Sequence, residues 1–252
     1  MRGAAVFGGL LIGSLGLSGT RAVAPHAHGP DVAPPKETVT ADPVEPAAPP
    51  DEPREDPSPA TRYVSLASDA CLAELDARQI EYKRVERPDV DTPVRLLGPL
   101  STVRFHTLLP KEARDRSPYE IFDCRLVLAL DDFAKILRRH DIVDVMLFSA
   151  FRPLVPGVVK RGHERALAID VAYFGRADGG AYSILRDFTP IAHEHPCRPL
   201  IHATGPRELR AFVCEAVEER IFHVALTPDY DAAHHDHFHL ELVPGAVSSY
   251  AR

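Results

Sequence analysis

Residues 117–149 read SPYEIFDCRLVLALDDFAKILRRHDIVDVMLFS, a helix signal that runs straight into a strand signal. Ser117-Pro118-Tyr119-Glu120 has the form of a capping box with proline at the first helical position, which predicts a helix from there to about His140. Phe122, Leu126, Leu130, Phe133 and Leu137 recur at helical spacing and form its core face. Residues 143–148 follow as an apolar run of strand length, read as a buried strand.

Working outward, residues 167–174 read as another strand. Gly205-Pro206 opens a last helix reaching Ile221, with Leu209, Phe212, Val213, Ala216 and Val217 on one stripe. Residues 223–226 and 238–243 close the domain as strands. Upstream, residues 68–80 read as a first helix that buries Leu72, Leu75 and Ile80. Residues 94–109 hold extended segments interrupted by Gly98-Pro99. Helices and strands mix without regular βαβ alternation. The expectation is a single α+β domain over residues 61–252, with a mainly antiparallel sheet packed against helices.

The 252-residue chain has 24 Pro, 4 Cys, no Trp and a formal net charge of −7. Charged residues at 26% and hydrophobic ones at 45% are globular values. An acidic balance, with a pI near 6.0, excludes a protein that coats nucleic acid by neutralising phosphates. Residues 1–24 join Arg2 to a short apolar core and an Ala22-Val23-Ala24 triplet, the form of an export signal. Pro25 is unfavourable after such a cut, so cleavage after Ser18 or no cleavage stays open. If uncleaved, this segment is the expected membrane contact. Residues 25–60 hold eleven of the prolines, eight acidic residues and no aromatic, Leu or Ile. Such a stretch cannot offset the entropy of ordering and reads as an extended, disordered linker. The signal stretch carries +2 and the linker −6, which leaves −3 of the total −7 for the folded part. The acidity thus belongs to a tether outside the cytoplasmic membrane, and the expected location is periplasm or cell envelope.

Cys71, Cys124, Cys197 and Cys214 match no zinc ribbon or CxxC pattern. In an exported chain they suggest two disulfides, of which three connectivities are possible, and the local pairs Cys71–Cys124 and Cys197–Cys214 are expected. Four buried free thiols would fit a chain that stays inside.

Four of the 13 histidines lie in His234-His235-Asp236-His237-Phe238-His239. On a strand His237 and His239 share a face, and neutral imidazoles are common zinc ligands. Gly162-His163-Glu164-Arg165-Ala166-Leu167-Ala168-Ile169-Asp170-Val171 places a carboxylate inside an apolar strand, where it needs a partner. A metal would serve, and so would an arginine such as Arg165. His163, Asp170 and His239 together leave one tetrahedral position for water, the arrangement of a catalytic zinc site. His193-Glu194-His195 lacks zincin spacing and precedes Pro196, so it reads as a surface loop. No Gly-x-Ser-x-Gly surrounds Ser149, which argues against a serine hydrolase.

His163, Ala168 and Asp170 stand at the spacing of the His-x-x-Gly-x-Ala-x-Asp motif of zinc D,D-peptidases, and 236–239 resembles the second half of that signature. His234, His237 and His239 are similar to the His-x-x-His-x-His spacing of the murein endopeptidase branch. More closely still, residues 71–243 resemble the bacterial extensin-like C-terminal domain family. The likeness is carried by the Cys71-Leu72-Ala73-Glu74-Leu75 start, the Cys124 helix, the Ser149-Ala150-Phe151-Arg152 turn and the Leu226-Thr227-Pro228-Asp229-Tyr230 segment. The resemblance implies His163, Asp170 and His239 as Zn2+ ligands and Asp236 as general base. It implies that His237 stabilises the oxyanion or is itself the base, and that Arg152 contacts substrate or the oxyanion. The implied partner is peptidoglycan or its peptide fragments. The chain departs from the motif at Arg161, where serine is usual, and at Ala166, where glycine is usual. Its lack of Trp makes glycan stacking less expected.

Two readings follow, a zinc peptidase of the cell wall and a wall-binding module that keeps the metal fold without turnover. A non-haem iron oxygenase fits less well, because its first two ligands usually stand two residues apart on one strand, and His163 and Asp170 are seven apart.

Overall fold

A computed structural model describes residues 56–157, 159–191, 196–197 and 207–252. The export signal, nearly all of the linker, the His193-Glu194-His195 loop and the Gly205-Pro206 helix start lie outside the described residues. In chain order the elements are α1 (Pro59–Val64), α2 (Ser68–Ala77), β1 (Tyr82–Arg84), β2 (Pro93–Leu96), β3 (Arg104–Thr107) and α3 (Lys111–Arg114). Next come β4 (Phe122–Asp123), α4 (Cys124–Arg139), β5 (Ile142–Ser149), β6 (Ala168–Arg176), β7 (Ala181–Ser183) and α5 (Ile184–Asp187). The chain closes with α6 (Arg207–Glu218), β8 (Val224–Leu226), β9 (Phe238–Glu241) and β10 (Tyr250–Ala251).

The fold is α+β, with two sheets rather than one. A small antiparallel sheet runs β1-β2-β4, and a larger one runs β10-β8-β9-β6-β5-β3 with β7 alongside β6. The larger sheet is mixed. β3 pairs β5 in parallel and β10 pairs β8 in parallel, while the pairs that surround β6 are antiparallel.

The long helix forms, but six residues later than its sequence suggests. Ser117 caps only a 3-10 turn over Pro118–Glu120, accepting from the Tyr119 N–H. Glu120 does not reach back to Ser117; it accepts from the backbone N–H and hydroxyl of Thr107, each at 2.6 Å. Ile121 is extended and Phe122 pairs with Val94. The true N-cap is Asp123, fully buried, whose carboxylate accepts from the backbone N–H and Nε of Arg125 and the backbone N–H of Thr92. Tertiary partners for Glu120 and Phe122 thus override a local capping signal.

The strand read as buried at 143–148 is half-buried. Ile142, Val145 and Leu147 face the core, whereas Val143 and Phe148 are 36% and 39% exposed. Bulges shift the β5–β6 register near Leu147 and Ser149 and turn Phe148 outward. The fold also begins before residue 61. Ser58 caps α1 and Ala60 is fully buried, so 58–60 belong to the domain and not to the linker.

Most of α4 is buried. Leu126, Leu130, Phe133 and Leu137 pack with Ile169, Val171 and Phe174 of β6 and with Phe238 and Leu240 of β9 in one core cluster. Phe133 meets Phe174 and Phe222 edge-on, and Phe174 meets Phe212 of α6 the same way. Leu209, Phe212, Val213 and Ala216 are buried, as their stripe suggests. A smaller cluster of Val90, Ile121, Phe151 and Ala166 supports the turn that leads into β6. Cys71–Cys124 bridges α2 to the start of α4, and Cys197–Cys214 ties the chain to α6.

Loop-closure entropy over 53 residues makes the Cys71–Cys124 bridge worth about 2–4 kcal/mol. Urea unfolding of the Cys71→Ala/Cys124→Ala protein is expected to show a loss of that size. Between β3 and β5, His106 Nε2 lies 2.9 Å from Asp144 Oδ2. The hydrogen bond to Asp144 raises the His106 pKa above its ordinary 6.5, against the effect of burial. Burial would raise the Asp144 pKa, but the His106 hydrogen bond and charge lower it. The imidazolium therefore stabilises the fold below about pH 6.5 and loses that contribution as pH rises through the raised folded value. The stability gap between the natural protein and His106→Gln is expected to narrow as pH rises above about 6.5, read by chemical denaturation.

Candidate metal centre

Three side chains converge on the middle of the large sheet. Asp170 lies on β6, directly opposite His239 of β9 on one side and Ser149 of β5 on the other. Its neighbours Ile169 and Val171 face the helices, so the carboxylate points from the other surface of the sheet. His163 comes from a one-turn 3-10 helix over His163–Arg165, placed over that surface by the turn into β6. Asp170 Oδ1 is 3.1 Å from His163 Nε2 and 3.0 Å from His239 Nδ1, and the two nitrogens are 3.3 Å apart.

The outer atoms of both imidazoles are engaged. His163 Nδ1 lies 2.7 Å from the Ala150 carbonyl, which can only accept, so this nitrogen carries the hydrogen. His239 Nε2 lies 3.0 Å from Glu241 Oε2 and donates to it. The inner nitrogens of the neutral rings therefore present lone pairs, and both face a carboxylate oxygen. Three acceptors within 3.3 Å of one another repel unless a proton or a cation sits among them. Two imidazole nitrogens and one carboxylate oxygen, each imidazole oriented by an outer acceptor, form a donor set suited to a transition metal such as zinc.

Charge follows the same layout. Burial works to raise the Asp170 pKa, but hydrogen bonds from His163 and His239 and the charge of Arg152 hold it well below the usual carboxylate range. Burial works against a charged His239, yet Asp170 and Glu241 outweigh it and push this pKa up to about 9.

Each residue singled out by sequence has a definite place. Arg152, 48% exposed, pairs with Asp170 Oδ2 and donates from Nε to Ser149 Oγ at 2.9 Å. Asp170 therefore has an arginine partner as well, and it is Arg152 rather than Arg165. His237 Nε2 is 3.5 Å from Asp170 Oδ1, and its Nδ1 is 2.8 Å from Asp236 Oδ1. Asp236 thus stands behind His237, with the imidazole between it and the triad. Phe148 meets the His237 ring edge-on. His234 Nδ1 lies 2.7 Å from Asp231 Oδ1, and its ring stacks at a tilt 5.1 Å from that of His237.

Sequence reading missed three supports. Glu241 is two residues beyond His239 on the same face of β9, a relation that strand periodicity could have supplied. Gly162 lets it approach: a Cβ there would lie 2.6 Å from the Glu241 carboxyl and 2.9 Å from the Ala168 side chain. The third is the Arg210–Asp229 ion pair at 2.6 Å, with the Asp229 carboxylate buried, which anchors the approach to the histidine cluster. No local spacing joins its two members. Ala166 ends the His163 turn at φ +55°, the left-handed region that favours glycine, so the motif's usual glycine has a conformational reason that alanine meets under strain.

Removing the Glu241 carboxylate frees the outer side of His239. Glu241→Ala is expected to weaken zinc affinity about 10–100-fold, with Glu241→Gln closer to the natural protein, read by competition with a chelating dye. Gly162→Ala should follow Glu241→Ala, because its methyl group displaces the same carboxylate.

Among the described residues no helix is long and apolar enough to cross a membrane. Residues 155–250 match the family model described as the extensin-like protein C-terminus. The match takes in His163, Asp170, His237, His239 and Glu241, while Cys71, Cys124 and the Ser149–Arg152 turn lie ahead of it. No curated protein and no solved structure matches the chain. With both halves of its histidine and aspartate pattern brought to one face of the sheet, the C-terminal part of this protein, residues 155–250, is an extensin-like C-terminal domain.

Proposed function

We propose that the protein is an exported, zinc-dependent peptidase acting on peptidoglycan stem peptides or crosslinks. The observation that carries this reading is the convergence of three acceptor atoms, His163 Nε2, Asp170 Oδ1 and His239 Nδ1, within 3.3 Å. These residues would hold the metal, which supplies Lewis acidity toward an amide carbonyl and lowers the pKa of bound water toward about 7. The likeness to zinc D,D-peptidases, whose motif spacing the triad reproduces, supplies the substrate class. Two disulfides fit an oxidising compartment outside the cytoplasm.

The chain's own groups divide the remaining work. His237 presents Nε2 toward the triad, where it takes a proton from the attacking water and returns it to the leaving amine. Asp236 holds Nδ1–H of that ring and favours the imidazolium once it forms, so the geometry supports His237 as base and Asp236 as its orienting partner. Arg152 balances the outer oxygen of Asp170 and, half-exposed, keeps donors free for a substrate carbonyl or carboxylate. Ser149 fixes that guanidinium from below.

A second reading has its own support. Arg152 is already committed to Asp170, and Arg161 and Ala166 replace the serine and glycine of the peptidase motif. A wall-associated module would then bind zinc and wall fragments without turnover.

Mass spectrometry of muropeptide digests, with and without added zinc, decides between them. The peptidase reading expects new termini only with zinc, none from Asp170→Ala or His239→Ala, and about 10²–10⁴-fold slower release from His237→Ala with zinc affinity kept. Cleavage that persists in Asp170→Ala protein would overturn it, and zinc-loaded protein that binds fragments without releasing product establishes the module.

A further inference from the structure

Glu241, which holds the outer nitrogen of His239, also lines a surface cleft of about 340 Å3. Lys160, Arg161 and Arg165 line it together with Glu241 and the chain from Leu242 to Pro244. The cleft and the metal centre share their boundary. Arg161 and Gly162 lead directly into His163, and Glu241 holds the outer nitrogen of His239.

The cations here differ from those elsewhere in the fold. Arg78, Arg125, Arg139 and Arg210 each sit in ion pairs. None of Lys160, Arg161 and Arg165 forms an ion pair among the described residues. Glu164, the nearest acid in sequence, is turned to the main chain and accepts from the Arg161 backbone N–H at 2.9 Å. Asp91, whose carboxyl feels the charge of Lys160 and Arg165, is held by Arg125 at 2.8 Å. Three cationic residues and one carboxylate thus line the cleft, and that carboxylate already accepts from His239.

We propose that this cleft binds a carboxylate-bearing side chain of a peptide whose backbone crosses the His163–Asp170–His239 centre. Arginine forks pair with carboxylates in bidentate fashion. The Leu242, Val243 and Pro244 wall suits the methylene stem of an acidic residue. The volume is that of a site for a small organic group rather than for a bare anion. Glu241 in the same space disfavours a dense double charge such as phosphate. Arg161 stands where the resembled peptidase motif usually has serine, so this chain adds a cation beside its first metal ligand. The proposal rests on the peptidase reading for the direction of the backbone, but its test requires no cleavage.

The test is isothermal titration of the full chain, with and without zinc, using acetyl-Ala-Glu-Ala-amide, its glutamine counterpart acetyl-Ala-Gln-Ala-amide, and inorganic phosphate. The glutamate peptide is expected to bind at least about tenfold more tightly than the glutamine peptide, the scale of one charge-assisted pairing. In Lys160→Gln/Arg161→Gln protein that preference should vanish while zinc affinity stays at the natural value. Equal binding of the two peptides overturns the proposal whatever the variant does. Phosphate binding tighter than the glutamate peptide, or a preference that survives in the variant, overturns it as well. Failure of the peptidase reading shows separately, as a retained glutamate preference in a protein that releases no product.

Discussion

A carboxylate that is 1% exposed in the middle of a sheet constrains everything placed around it. Asp170 cannot shed its charge cheaply into an apolar strand, and an isolated buried charge would destabilise the fold by several kcal/mol. Its two oxygens are therefore met from separate directions. Oδ2 is neutralised by Arg152 from the end of β5, and Oδ1 faces two imidazoles from different parts of the chain. The centre is the structural solution to one buried charge, and it is a candidate metal site because that solution brings two imidazole nitrogens and a carboxylate oxygen together.

That solution depends on register. β6 lies between β5 and β9, and the pairing places Ser149, Asp170 and His239 in one row. A slip of one residue would send Asp170 into the helical core and Ile169 to the face that carries the histidines. The core seals the register from behind, since Ile169, Val171, Phe238 and Leu240 interlock with α4 and α6. Gly162 and the left-handed Ala166 then fold the His163 turn close enough to complete the row. The disulfide between α2 and α4 acts at one remove, by fixing the helix against which the sheet is pressed.

Much of this was legible beforehand. Helical spacing at Leu126, Leu130, Phe133 and Leu137 marked the core helix, and alternation from Phe238 to Glu241 marked the strand that carries His239. The spacing of His163 and Asp170 and the density of histidine at 234–239 marked the triad. The capping box at Ser117 misled, because Glu120 finds Thr107 and Phe122 finds Val94, contacts between segments far apart in sequence. Residues 143–148 read as wholly buried because apolar composition does not reveal which residues a bulge turns outward. The parallel pairing of β3 with β5 and of β8 with β10 also has no local signature.

Periodicity, spacing and the cost of burying polar groups marked the core helices, the strands that carry Asp170 and His239, and the residue types of the centre. Packing in three dimensions set the partners. It chose Arg152 over Arg165 as partner of Asp170, set His237 in front of Asp236, and recruited Glu241 and Gly162 to orient His239. The physical reason is that orientation depends on what lies across a sheet or behind a ring, and neighbours in space are supplied by strand register and packing rather than by adjacency in the chain.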